Sequence, residues 1–296
     1  MIRRPEQHGF TLVEMIVVIV ITGIIGGMVA MFIRAPMQGY VDSARRADMT
    51  DIADTALRRI TRDLRLALPN SVRVAGTCNG TSTCFIEFLP TGSSGCAAGA
   101  TCLGGGRYRI AAGGTNDILD FTVADNSFEV LGTVPTFVSG DSVVVYNLGI
   151  TGADAYVGLN RSAWRSATVG SIININANLF PFDSPGHRFH IISTPVTYAC
   201  NPVATTGSGG TLTRYWGYAI QDVQTKTDSI AELNALVSPP TATRGSALLA
   251  SNVSSCNFIY APLVSARNSL VTLNLGITES GETVTLYNAA HVSNTP

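Results

Sequence analysis

An α+β fold is predicted: a long N-terminal helix packed on a mainly antiparallel β domain. Three observations carry this. Phe10 to Ile33 is apolar, with Glu14 its only charge. Tyr40 to Leu68 repeats apolar residues at helical spacing. Beyond Asn70, short β-branched and aromatic runs alternate with Gly, Asn, Ser and Pro breaks.

The chain opens on a short polar leader, residues 1–9, which carries Arg3 and Arg4 and ends at Gly9. The apolar segment 10–33 follows at once. As a helix it would span about 36 Å at about 1.5 Å per residue, enough to cross a hydrocarbon core of about 30 Å. A carboxylate near the start of such a helix costs a few kcal/mol or less, depending on depth, so Glu14 calls for a partner. A secretory signal peptide would have a shorter apolar core followed by a small-residue cleavage site, the reverse of this arrangement. A plain anchor gives no reason for Glu14.

Residues 34–69 continue as an amphipathic helix. Val41, Ala44, Ile52, Ala56, Ile60 and Leu64 form the stripe, widened by Ala53, Leu57, Ala67 and Leu68. Acids come first (Asp42, Asp48, Asp51, Asp54) and bases later (Arg58, Arg59, Arg62, Arg65), matching the helix dipole. Asp42 with Arg46 and Asp54 with Arg58 are spaced to pair. Gly23, Gly26, Gly27 and Pro36 predict a kink or a loosened segment, and Pro69 predicts the stop. The stripe is Ala-rich and lacks a sustained heptad, which argues against an independent coiled coil.

Residues 70–296 read as a β-rich globular domain, possible in two sheets. Predicted strands are Phe85–Leu89, Ile118–Val123, Phe128–Leu131, Val143–Leu148, His187–Ser193, Val196–Cys200, Tyr215–Ile220 and Asn257–Tyr260. Leu270–Leu275 and Thr283–Tyr287 flank Glu279-Ser280-Gly281-Glu282 as a C-terminal hairpin. Ile230–Val237 is predicted to form a short helix.

The run Gly9-Phe10-Thr11-Leu12-Val13-Glu14 and the apolar stretch behind it resemble the N-terminal signature of type IV prepilins and type II secretion pseudopilins. The resemblance covers roughly the first 70 residues. It implies cleavage between Gly9 and Phe10 by a prepilin peptidase, N-methylation at Phe10, and an assembly role for Glu14. It also implies a type IV pilin-like fold. The implied partners are other major and minor pilins, an inner-membrane assembly platform, and membrane lipid before assembly. The size of the domain is similar to that of larger minor pilins. Arg62-Asp63-Leu64-Arg65, Ala67-Leu68-Pro69-Asn70-Ser71, Gly106-Arg107-Tyr108-Arg109 and His291-Val292-Ser293-Asn294-Thr295-Pro296 resemble minor pilins of mannose-sensitive haemagglutinin pili.

Charge points to no nucleic-acid partner. The formal net charge is −1, and without the leader 17 basic residues face 19 acidic ones. Basic Arg3 and Arg4, held in the cytoplasm, would place the domain on the oxidising, periplasmic side of a bacterial inner membrane. All six cysteines, Cys78, Cys84, Cys96, Cys102, Cys200 and Cys256, lie in that domain. Fifteen pairings are possible. Proximity favours Cys78–Cys84 and Cys96–Cys102, leaving Cys200–Cys256; a link from Cys84 to a distant strand is the alternative.

No catalytic residue, cofactor or metal is expected. Cys-x2-Cys spacing with a nearby His is missing. His187 and His190 would point to opposite faces of a strand, and His8 and His291 sit at the two ends. No nucleophile elbow, P-loop or His-Glu-x-x-His motif occurs, and Gly104-Gly105-Gly106 has no helix behind it to receive a phosphate. Asp117, Asp120, Asp125, Asp141 and Asp183 lack calcium-loop spacing and read as solvated turns. The function expected is therefore that of a pilus subunit that primes, builds or decorates a fibre for surface attachment. The alternatives are a minor pseudopilin of type II secretion and a membrane-anchored periplasmic enzyme or sugar-binding domain.

Overall fold

The computed structural model describes residues 9–93, 104–111, 117–204, 208–261 and 268–296. It is α+β, a long N-terminal helix followed by mostly antiparallel β structure. The chain divides into two compact units, Met1–Asp48 and Met49–Pro296, and helix α1 (Leu12–Leu64) contributes to both.

Within the first unit α1 continues as helix through Gly23, Gly26, Gly27 and Pro36. Proline removes one N–H from the ladder, and the helical bonds around it carry the segment across. Asp42 meets Arg45 at 3.2 Å. Val41 and Ala44 are exposed, so the buried stripe begins later than the sequence suggested.

In the second unit the stripe starts at Met49 and runs through Ala53, Ala56, Leu57, Ile60 and Leu64. Ile52, expected inside, is 38% exposed. Ala53, Ala56 and the larger Leu57, Ile60 and Leu64 are buried as their spacing predicted. Each of those larger side chains contributes about 1.5–3 kcal/mol by leaving water. Asp54 pairs with Arg58 at 2.7 Å. The helix ends at Leu64, short of the expected Leu68. Ala67 N–H folds back to Leu64 O, whereas Leu68 N–H turns to Leu89 O at 2.7 Å. A carbonyl at the end of a strand thus replaces the helical acceptor.

Five strands form the sheet this helix packs against, in the order β1 (Arg73–Gly76), β2 (Cys84–Phe88), β9 (Val196–Asn201), β10 (Thr211–Trp216) and β11 (Gly245–Ser251). All neighbours are antiparallel. Cys84, Ile86, Phe88, Tyr198 and Leu212 share one core with the helix. That core also takes Phe258, Val271, Leu273, Leu275, Ala290 and Val292 from a three-stranded sheet, β12 (Val253–Ala261), β13 (Asn268–Glu279) and β14 (Glu282–Ser293). The hairpin between β13 and β14 closes at Ser280-Gly281, both at positive φ (52° and 83°). This is the twist-matched two-residue turn that glycine permits.

Asp63, at the end of α1, ties the helix to the sheet. Its Oδ2 accepts from Tyr198 Oη at 2.7 Å and from Arg214 Nε at 2.9 Å. Burial and the Asp63 charge push the Tyr198 hydroxyl well above its ordinary pKa.

The opposite face of the five-stranded sheet is also covered. Phe85, Ala199, Tyr215 and Tyr218 pack with Leu233 and Val237, which belong to or follow α2 (Ile230–Leu236). Ser229 caps that helix by accepting from Glu232 N–H. Glu87, fully buried, points to this face. It takes a bidentate bond from Arg73 (3.1 and 3.3 Å) and one from Thr227 Oγ1 at 2.6 Å. The Arg73 guanidinium lies 3.6 Å over the Tyr156 ring.

Between β2 and β9 the chain builds a closed barrel, which the sequence did not suggest, in addition to the two sheets. Its strands are β3 (Gly105–Tyr108), β4 (Asp125–Leu131), β5 (Ser142–Val145), β6 (Arg161–Val169), β7 (Ile172–Asn178) and β8 (Arg188–Ile192). They close in the order β3-β4-β7-β6-β5-β8. Tyr108, Phe128, Val143, Ile173, Ile175, Phe189 and Ile191 help fill its interior. Gly105 is required by a close strand approach, because a Cβ there would collide with the Phe189 carbonyl.

Three predicted strands are corrected. Ile118–Val123 is irregular because Asp120 and Asp125 side chains capture backbone N–H groups, Asp120 Oδ1 from Thr122 at 2.7 Å and Asp125 Oδ2 from Asp120 at 2.8 Å. Val143–Leu148 stops at Val145, since Tyr146 sits at φ 49°. Tyr215–Ile220 stops at Trp216, before Gly217 at φ 82°.

Cys78 is bonded to Cys84, and Cys200 to Cys256. Cys96 and Cys102 lie outside the described residues. The second bond joins β9 to β12 across 56 positions of chain and pins the two sheets around their shared core. Replacing Cys200 and Cys256 together by Ser is expected to cost about 2–5 kcal/mol. Urea unfolding of the full chain measures it; a loss under about 1 kcal/mol would contradict this role.

Candidate functional site

The N-terminal segment brings together Gly9, Phe10 and Glu14, the residues singled out from the sequence, around the start of α1. Thr11 is the helix N-cap: its Oγ1 accepts Glu14 N–H at 3.3 Å and its carbonyl accepts Met15 N–H at 3.2 Å. Glu14 is thereby the third residue of the first turn, where the N-terminal end of the dipole favours a carboxylate. The spacing Thr-x-x-Glu is that of a capping box, a signal legible in the sequence but not used above. Gly9 and Phe10 precede the cap in non-helical backbone, and Phe10 is 85% exposed. The bond between them is accessible, as proteolysis would need.

Behind the cap, Leu12–Ile33 keeps its apolar side chains exposed around the whole helix. Such a surface is unstable in water and suits lipid or a bundle of like helices. Thr22, the one hydroxyl in the middle of this run, donates to Val18 O at 2.7 Å and is satisfied inside its own helix. The helix is long and apolar enough to cross a membrane. Glu14 is the one acidic or basic residue between Leu12 and Ile33, close to the new amine that a cut at Gly9–Phe10 would create at Phe10.

The other residues singled out from sequence do not gather into a second centre. Among the described residues no cluster of three or more His, Cys, Asp or Glu is positioned for a metal. His187 Nδ1 lies 3.4 Å from Asp183, beside Tyr108. His190, on β8 between the inward Phe189 and Ile191, lines the outer groove beside Gly104, and burial and the Arg188 charge push it down to about 4. His291 pairs with Leu270 on the hairpin, and His8 lies outside the described residues. Gly104, Gly105 and Gly106 line a groove with Arg107, Arg188 and Phe189, and Gly105 and Gly106 open β3. Asp117 O accepts Glu129 N–H, and Asp183 accepts from Tyr108 Oη. Asp141 is a correction: it is fully buried, not solvated, and its Oδ2 takes Val138 N–H at 2.8 Å to close a turn.

The family described as the prokaryotic N-terminal methylation motif matches residues 4–31. No curated protein and no solved structure matches the chain. The matched stretch holds the Gly9–Phe10 junction, the Thr11 cap and Glu14, and it supports a prepilin-type N-terminus of the pilin or pseudopilin kind, a structural rather than an enzymatic family. Such a motif implies a prepilin peptidase and association with other pilins. With the apolar helix, it fits membrane anchoring before assembly.

Proposed function

We propose that the chain is a minor type IV pilin, of the kind found in mannose-sensitive haemagglutinin pili, that primes, builds or decorates a fibre for surface attachment. One observation carries the reading: a capped, exposed apolar first half of α1, residues 12–33, whose only charge is Glu14, preceded by an accessible Gly9–Phe10 bond. In this reading residues 1–9 are removed, Phe10 becomes the methylated N-terminus, and segment 10–33 passes from lipid into the fibre core. Residues 34–69 support the domain formed by 70–296, which faces the periplasm and later the cell surface. The disulfides fit an oxidising compartment. A pseudopilin of type II secretion would share the same N-terminus, and recovery of the protein in sheared surface fibres distinguishes the pilin.

Processing tests the reading. Gly9→Val is expected to leave a precursor nine residues longer than the mature wild type, because a β-branched side chain crowds the peptidase site. Gel mobility and mass spectrometry of membrane fractions measure this. Normal cleavage of Gly9→Val would sink it.

A further inference from the structure

Arg161 opens β6, on the outside of the barrel where it meets the segment after β10. Its backbone N–H bonds Gly158 O, and its guanidinium lies against Gly158, where a Cβ would come within 3.2 Å of Nη2. Nη1 is cut off from solvent and has no hydrogen-bond partner among the described residues. Burial lowers the pKa of this guanidinium, and the nearest compensating field is that of Asp154. Asp154 is itself engaged, its Oδ1 accepting Tyr156 N–H at 2.9 Å.

A guanidinium nitrogen taken out of water without a hydrogen-bond partner is costly, and Asp154 supplies only its field. Here it lines an open cleft of about 530 Å³, a size suited to a small ligand. Ser142, Ser193 and Thr194 supply hydroxyls to the cleft, while Tyr218 and Ile220 give it an apolar wall. Arg161 is the one charged residue on that lining. A single guanidinium on the lining matches a monoanion, and a carboxylate is the oxygen acid it pairs with most readily. Hydroxyls beside it suit the ring oxygens of a sugar.

We propose that this cleft binds a carboxylate-bearing sugar residue, a uronate, with Arg161 holding the carboxylate and Ser142, Ser193 and Thr194 its ring hydroxyls. The site belongs to the globular domain and does not depend on the fibre reading. An adhesive surface would use it to hold acidic polysaccharide.

The test is calorimetric titration of the detergent-solubilised full chain with glucuronate, glucose and inorganic phosphate in parallel. Glucuronate is expected to bind saturably, with glucose and phosphate each weaker by about tenfold or more. Arg161→Gln is expected to weaken glucuronate by about tenfold or more with the melting temperature held. Ala163→Leu, at an exposed strand position on the same lining, should block the cleft with Arg161 intact, and it carries the test if Arg161→Gln fails to fold. Absence of saturable glucuronate binding would overturn the proposal, as would unchanged binding in a folded variant. Phosphate or glucose binding as tightly as glucuronate would overturn the uronate assignment.

Discussion

Glu14→Leu is expected to insert in the membrane and be cleaved normally, yet to enter the fibre at about a tenth of the wild-type level or less, a factor equivalent to about 1.4 kcal/mol. In a bundle of apolar helices an unpaired carboxylate is unfavourable. The amine at Phe10 of the same or a neighbouring subunit is the counter-charge the proposed processing would supply. Attraction in a low-dielectric bundle favours the axial register that joins the two and penalises those that leave both unpaired. The cap separates this effect from helix stability. Thr11 Oγ1 accepts the backbone N–H of residue 14, which Leu keeps, so the first turn survives the substitution. Immunoblots of sheared fibres and crosslinks to neighbouring pilins measure the outcome; wild-type amounts with unchanged crosslinks would show that the carboxylate does not set the register.

The second large effect lies in the domain. Arg73→Met should destabilise the folded chain by about 3–5 kcal/mol at neutral pH, because it leaves Glu87 fully buried without its cation. Thr227 Oγ1 would remain as a donor to Oε2, while Oε1 would lose the Arg73 bond. Arg73 also donates to Gln221 O at 3.1 Å and stacks on Tyr156. It therefore joins β1 to the segment that covers the outer face of the sheet. Combining Arg73→Met with Glu87→Leu removes both charges and should recover a large part of the loss. Thermal unfolding of the three variants decides it: additive losses, or an Arg73→Met cost below about 1 kcal/mol, would contradict the account.

The N-terminal half was largely legible because its signals are local. An apolar run, one carboxylate and a glycine junction sit within a few residues of one another. The C-terminal hairpin was legible for the same reason, since Ser280-Gly281 and alternating flanks act over short range. The barrel was not. Its β3 begins with Gly105-Gly106, which are poor strand formers; β11 of the five-stranded sheet, Gly-Ser-Ala-Leu-Leu-Ala-Ser, was hidden for the same reason. Ile173 and Ile175 in β7 do alternate with Asn, so that strand had a readable period, whereas its closure onto β4 and β6 is set by contacts far along the chain. Cys84 and Cys200 show the limit most sharply. They are register partners on β2 and β9, yet each is bonded elsewhere, to Cys78 and Cys256. Spacing along the chain favours the first bond directly and reaches the second only as the pair left over. Arg161, the key residue of the proposed sugar cleft, carries no motif at all, and only its place on the cleft lining and its unpartnered Nη1 mark it.

The central claim is that the chain is made as a prepilin, and intact-mass measurement of the wild-type protein purified from membranes tests it most directly. The account predicts a mature chain that begins at Phe10 and carries one additional methyl group on its N-terminus. A chain that retains residues 1–9, or one whose N-terminus lies beyond residue 15, would contradict it.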